Sequence, residues 1–382
     1  MTFRISEEAF EYYVLDNLLA NLDYQVLHGE EIAPGEPNAE REDFSQVVLP
    51  QRLKSALYKL NPHLPVETVE EVYKKVLNLP HAIPNPAHNN RLFHQWLREG
   101  VPVEYRLPDG RIKGDLGWLI DFSNPNRNDF AAVNQFTVIE NKRNRRPDVV
   151  LFVNGLPLVL MELKDPKNPK AHLKRAFNQI QTYREDIPSI FTYNAICVIS
   201  DNHDARAATF LSDWEWYTRW RTVDGEERVP KTRPQMPVLA KGVLNPIRLL
   251  DVVQHFIVFK DVEGAEPVKI LAAYHQYHAA KKALEEAVKA SSARGDRRVG
   301  VIWHTQGSGK SLSMLFFAGL LVGHPALENP TIVVITDRND LDDQLFGTFS
   351  QGQELLRQSP QQAESRAHLR ELLNVAAGGV FF

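Results

Sequence analysis

Three residues near the middle of the chain are of types that can hold a divalent metal and steer a water: Asp148, Glu162 and Lys164. They stand at the outer ends of two apolar runs joined by Asn154-Gly155. An Asn-Gly pair between apolar runs is a strong hairpin signal. Glu162 and Lys164 are two apart, so they leave one strand face together. The hairpin carries Asp148 back beside Glu162 and yields two carboxylates and a lysine at the rim of a small sheet. Register adds a demand. A regular two-residue loop pairs Asp148 with Met161 and turns Glu162 to the wrong face. A shared site therefore requires an odd-length connection, such as Asn154 to Leu156, or a bulge before Glu162.

A second chemistry is written at His304-Thr-Gln-Gly-Ser-Gly-Lys-Ser311. The apolar run 299–303 precedes it, expected as a buried strand, and an apolar helix from Leu312 follows. Strand, glycine loop and helix form the setting of a nucleotide phosphate loop. Gly307 and Gly309 let backbone N–H groups turn inward. Lys310 suits the β- and γ-phosphates, Ser311 a Mg²⁺ ion, and the helix start favours an anion. Thr305 and Ser308 complete the candidate contacts. His304 stands where the strict pattern has glycine.

Other elements must position these groups. Residues 6–22 read as an amphipathic helix with Phe10, Val14, Leu18 and Leu22 in a stripe. Glu8 and Glu11 on that helix are candidates for an additional acid. Helices are also expected over 49–60 and 67–77. A helix over 169–184 places Gln179 and Tyr183 on one face. Lys142, Arg143, Arg145 and Arg146 form a basic patch, read either as a solvated loop or as a phosphate contact. Trp214, Trp216, Tyr217 and Trp220 read as packing residues. The stretch 225–237, which mixes a glycine, charges and three prolines, marks a boundary. It suggests one domain over 1–230, a linker with a connecting helix over 231–262, and a second domain over 263–382. The run 331–335 reads as a further strand.

The chain has 382 residues, 43% of them hydrophobic and 24% charged, which is ordinary for two or three globular domains. A net charge of −4 leaves any nucleic-acid surface local. The one cysteine, Cys197, excludes an intrachain disulfide and a cysteine metal cluster. The N-terminus lacks a signal pattern, and the longest apolar stretch, 315–322, is too short to span a membrane, so a cytoplasmic protein is expected.

Taken together, these motifs resemble the restriction (motor and endonuclease) subunit of type I restriction–modification enzymes. Arg146-Pro-Asp148 with Glu162-Leu-Lys164 is similar to the PD-(D/E)xK nuclease signature, and Gln179 with Tyr183 to the Gln-xxx-Tyr element of RecB-like nucleases. Residues 304–311 resemble motif I of superfamily 2 helicases in the histidine-bearing form of type I subunits. Asp337 to Leu341 with Gln344 resembles motif Ia, and Tyr274-His-Gln276 the upstream glutamine motif that reads adenine. The resemblance implies an α/β fold: a restriction-endonuclease-like mixed sheet flanked by helices, then the first part of a RecA-like motor domain. It implies Mg²⁺ held by Asp148, Glu162 and the Leu163 carbonyl, with Lys164 orienting water. It implies ATP, double-stranded DNA, and docking onto modification and specificity subunits. It also implies a motor domain cut short at Phe382, with poor ATP hydrolysis. The alternatives are a repair-type helicase–nuclease working without a methylase, and a non-catalytic DNA-docking module.

Overall fold

A computed structural model describes residues 6–83, 85–165, 169–376 and 378–382. The chain divides into two compact units, 1–254 and 255–382.

The first unit is built on a seven-stranded mixed sheet. Its strands are β1 (Gln25–His28), β2 (Phe130–Asn134), β3 (Val149–Val153), β4 (Leu156–Leu163), β5 (Ile196–Ser200), β6 (Ala205–Ala208) and β7 (Thr218–Arg219), lying in that order across the sheet. β1 runs parallel to β2 and β4 parallel to β5; the remaining neighbours are antiparallel. Every residue of β3, β4 and β5 is buried. A sheet covered on both faces has no polar side to write, which is why these strands read as continuous apolar runs.

Helical cover comes from both flanks. The amphipathic N-terminal segment forms α1 (Glu7–Tyr12), a π-helical stretch (Tyr13–Leu19) and a 3₁₀ turn (Ala20–Leu22), with Ser6 Oγ capping Ala9 N–H. The wide π turn brings Leu15 and Leu19 into the core beside Phe10, Val14 and Leu18. The early helices are α2 (Pro50–Leu60), α3 (Val66–Asn78) and α4 (Pro86–Glu99). After β4 comes α5 (Pro169–Asp186), whose buried stripe includes Leu173, Phe177, Ile180 and Tyr183. Tyr217 and Trp220 are buried and the Trp214 ring meets Phe177, whereas Trp216 is exposed.

The segment 231–262, read from sequence as a linker with a connecting helix, does carry a helix, and most of its remaining length is structured as well. Met236, Leu239, Val243 and Leu244 are fully buried, and α6 (Pro246–His255) follows. Residues up to Gln254 belong to the first unit.

The second unit opens with a hairpin, β8 (Ile257–Lys260) on β9 (Val268–Leu271). It continues through α7 (Tyr274–Ser291), α8 (Lys310–Gly323) and α9 (Asn339–Gln351), with a short parallel pair, β10 (Ile332–Val333) on β11 (Val380–Phe381). Two strand expectations are corrected. The run 299–303 is not a buried strand: Val301 is 93% and Trp303 81% exposed. The run 331–335 pairs only at Ile332 and Val333. A strand needs a neighbour for its N–H and C=O groups. Among the described residues β11 supplies one to β10 and nothing supplies one to 299–303. No described helix is long and apolar enough to cross a membrane.

Candidate active site

The β3–β4 hairpin turns through Asn154 and Gly155 with φ values of 52° and 77°, a two-residue turn of the primed type. The turn is buried. Asn154 Oδ1 accepts from Asp129 N–H, its Nδ2 donates to the Leu119 carbonyl, and Leu49 N–H donates to the Gly155 carbonyl. Such a turn alone would misplace Glu162. The ladder corrects it: Phe152 faces Pro157 and Leu151 faces Val159, so Leu158 is an extra residue in β4. This bulge is the second of the two solutions that the register demanded. Val149 then faces Met161, and one step further Asp148 stands opposite Glu162.

Asp148, Glu162 and Lys164 come together. The Lys164 ammonium lies 2.6 Å from Glu162 Oε1, 2.8 Å from the Leu163 carbonyl oxygen and 3.7 Å from Asp148 Oδ2. Asp148 Oδ2 also accepts from Leu163 N–H at 2.7 Å. The parallel neighbour β5 steadies the strand end, where Lys164 N–H donates to the Ser200 carbonyl. Glu162 has no exposed surface. Burial and the Asp148 charge push its pKa well above the ordinary carboxylate value, against the pull of Lys164 and Tyr183. Burial likewise raises Asp148 against the Lys164 charge. Burial opposes the Lys164 ammonium, and Glu162 and Asp148 outweigh it, leaving its pKa above that of free lysine.

Behind the carboxylates, α5 supplies the other two sequence candidates. Gln179 Nε2 donates to the Tyr183 hydroxyl at 2.6 Å, and that hydroxyl donates to Glu162 Oε2 at 3.1 Å. Tyr183, on the helix face it shares with Gln179, thus meets Glu162 directly.

Glu11, rather than Glu8, turns inward: it is 7% exposed. Its carboxylate accepts from Asn134 Nδ2 at 2.9 Å and Gln135 Nε2 at 2.6 Å. Burial raises its pKa, and the two amides partly offset this. Glu7 reaches Lys164 at 3.5 Å. Asn134, Gln135 and Glu7 were not singled out from the sequence. An amide at a strand end carries no local signal of the acid it will meet.

A cleft of about 1130 Å³ opens over the site, with Glu7, Glu8 and Glu11 on one wall and Arg146, Gln179 and Tyr183 among the others. Asp148 lines it, while Glu162 and Lys164 lie outside the lining. In the basic patch, Arg145 and Arg143 pair with Asp186, and Arg145 and exposed Arg146 both line the cleft.

No described group of three His, Cys, Asp or Glu side chains could hold a metal ion. The candidate set is instead two carboxylates and a main-chain carbonyl. All three present oxygens to one cation, the Lys164 ammonium. Hard oxygens converging on positive charge are the donor set Mg²⁺ takes.

In the second unit Gly307 and Gly309 both adopt φ 76°. α8 begins at Lys310, whose ammonium donates to the His304 and Thr305 carbonyls at 3.2 and 3.3 Å. Ser308 Oγ donates to the Thr305 carbonyl, and Ser311 lies in the first turn of the helix. Burial, with His275 and Lys310 nearby, lowers the His304 pKa. Gln276 lies at the start of α7 beside the loop, its Nε2 donating to the Gly309 carbonyl.

Comparison with known proteins falls along the same two parts. Residues 4–216 match the family model described as type I restriction enzyme R protein N terminus. The chain belongs to this family. Residues 275–382 match the SWI2/SNF2 ATPase model. The type I restriction enzyme HindI endonuclease subunit of Haemophilus influenzae is 42% identical over 99% of the chain. A putative type I endonuclease subunit of Methanocaldococcus jannaschii, MjaIXP, is 35% identical over 97% of it. The chain spans 36% and 37% of the length of these two relatives. The R-protein match contains the whole carboxylate site, and the ATPase match contains the phosphate loop and Gln276.

Proposed function

We propose that this chain carries the endonuclease site of a type I restriction enzyme and the ATP-binding end of its motor, and that it cuts unmodified double-stranded DNA as part of a cytoplasmic complex with modification and specificity subunits. The observation that carries this reading is the Leu158 bulge. It costs the hairpin a regular ladder, and its effect is to put Asp148 on the face of Glu162 and Lys164. The sheet around the site is then of the PD-(D/E)xK type.

In this reading Asp148, Glu162 and the Leu163 carbonyl hold Mg²⁺. Mg²⁺ held there would supply a water of lowered pKa and offset negative charge at the scissile phosphate. Lys164 orients the water and meets developing negative charge. The Gln179–Tyr183 pair fixes Glu162 Oε2, and Glu11 adds a carboxylate to the cleft wall. The phosphate loop holds the ATP triphosphate through Thr305, Gly307, Ser308, Gly309 and Lys310, with Ser311 on the nucleotide's Mg²⁺.

The test uses the full-length enzyme with its modification and specificity subunits. Asp148→Ala, Glu162→Ala and Lys164→Ala should each lower DNA cleavage by at least about a hundredfold, with DNA-stimulated ATPase unchanged. Retained cleavage in any of the three would overturn the assignment. Cleavage by the wild-type chain without the methyltransferase subunits would favour a repair-type helicase–nuclease.

A further inference from the structure

The start of α7 reaches the phosphate loop through two consecutive side chains. His275 Nε2–H donates to the Ser308 carbonyl at 3.0 Å, and Gln276 Nε2 donates to the Gly309 carbonyl at 3.1 Å. These carbonyls belong to the two residues just before Lys310. Gln276 is anchored at its other end, since its Oε1 accepts from Ala273 N–H at 2.8 Å and caps the helix. The amide is thus used on both sides and is 5% exposed. His275 also meets the His304 ring at 5.2 Å, edge to face, so both ends of the loop touch it. Glycine at 309 is required here twice over. Its φ of 76° suits glycine, and a Cβ would stand 2.6 Å from Gln276 Nε2.

We propose that His275 and Gln276 form a latch that sets the shape of the phosphate loop, so that they favour nucleotide binding through the triphosphate and not through the base. The proposal rests on the nucleotide reading of residues 304–311. A glutamine that reads adenine must offer its amide to the base edge. Here the acceptor and a donor proton are both engaged by backbone. A phosphate loop works by holding its N–H groups inward. Tying the carbonyls of Ser308 and Gly309 outward, to α7, turns the adjoining peptide planes so that the following N–H groups face the anion. His275 and Gln276 are positioning residues on this account.

The experiment measures binding of ATP, GTP and inorganic tripolyphosphate, each with Mg²⁺, to the 382-residue chain by titration calorimetry. The variants are His275→Ala, His275→Gln, Gln276→Glu and Lys310→Ala. Gln276→Glu retains an oxygen for Ala273 N–H and loses the donor to Gly309. His275→Ala leaves the helix cap untouched. A melting curve on each variant separates loop effects from unfolding. His275→Ala and Gln276→Glu should weaken all three ligands by the same factor, about three- to tenfold as for one lost hydrogen bond, and His275→Gln should recover part of the loss. A loss confined to ATP, or unchanged binding of all three ligands, overturns the latch. Lys310→Ala tests the underlying reading separately. If it abolishes binding while the latch variants bind like wild type, the nucleotide site stands and the latch falls. If the wild-type chain binds none of the three, both fall.

Discussion

Glu162 has no exposed surface, and its two oxygens answer to different partners: Lys164 on Oε1 and Tyr183 on Oε2. Removing the hydroxyl with Tyr183→Phe leaves Oε2 buried without its donor and lets the proton bind Glu162 more tightly. On the proposed assignment of Glu162 to Mg²⁺, a partner behind it is worth about 10- to 100-fold in metal affinity or activity. Cleavage by the assembled Tyr183→Phe enzyme should fall by that order and recover in part at high Mg²⁺. A Mg²⁺ titration of the rate checks it, and an unchanged Mg²⁺ dependence would remove Tyr183 from the site. A second prediction concerns stability. Asp204 is grasped by Arg206 and by Arg219, the latter at 2.5 and 2.6 Å. Burial works to raise its pKa, and the two guanidinium groups outweigh burial and lower it. A depressed carboxyl pKa contributes stability above the unfolded value of about 3.9, lost as pH falls through the folded one. Asp204→Asn should therefore melt below wild type at pH 7, and the gap should close progressively under acid below about pH 4. Melting curves at pH 7 and pH 3 that differ by the same interval would contradict this.

The β3–β4 hairpin shows what an element contributes. Gly155 turns with φ 77°, and a Cβ there would meet the Leu49 carbonyl oxygen at 2.5 Å and Leu53 N at 2.8 Å. Gly155→Ala pays about 1–2 kcal/mol for left-handed backbone alone, and the backbone of the α2 start cannot yield as a flexible side chain would. Chemical denaturation should show a loss above that figure; a smaller loss would mean that the turn and α2 are loosely joined. Much of this element was legible beforehand. The Asn-Gly turn, both strands and the need for an odd residue follow from strand parity, a local rule. Which device satisfies the parity was open, because a three-residue loop and a bulge write the same sequence pattern. Contacts across long separations left no trace at all. Glu11 meets Asn134 and Gln135 more than a hundred positions away. The misread strand at 299–303 has the opposite cause: apolar periodicity reports a strand's willingness to pair and not whether a neighbour exists.

At the scale of the molecule, the proline- and charge-rich stretch near 230 looks like a boundary, yet the first unit extends to Gln254. The added segment is woven into it. Tyr24, in the first turn after the N-terminal helix, donates from its hydroxyl to the Leu244 carbonyl at 2.6 Å, and Gln235 N–H donates to the Asn202 carbonyl. Arg248 donates to the Val223 carbonyl, and Gly242 lies so close to Trp220 that a Cβ would come within 2.2 Å of the indole. Met236, Leu239, Val243, Leu244 and Leu249 are all wholly buried. At about 1.5–3 kcal/mol for each buried aliphatic side chain, their combined contribution is comparable to the whole net stability of a domain, about 5–15 kcal/mol. Cutting at residue 230 would also uncover the surfaces of Tyr24 and Trp220 that they cover. A fragment of residues 1–254 should therefore melt in one cooperative transition, while residues 1–230 should bind a hydrophobic dye and lack a sharp transition. Cooperative melting of the shorter fragment would place the boundary where the composition first suggests it, and would reduce residues 231–254 to a tether.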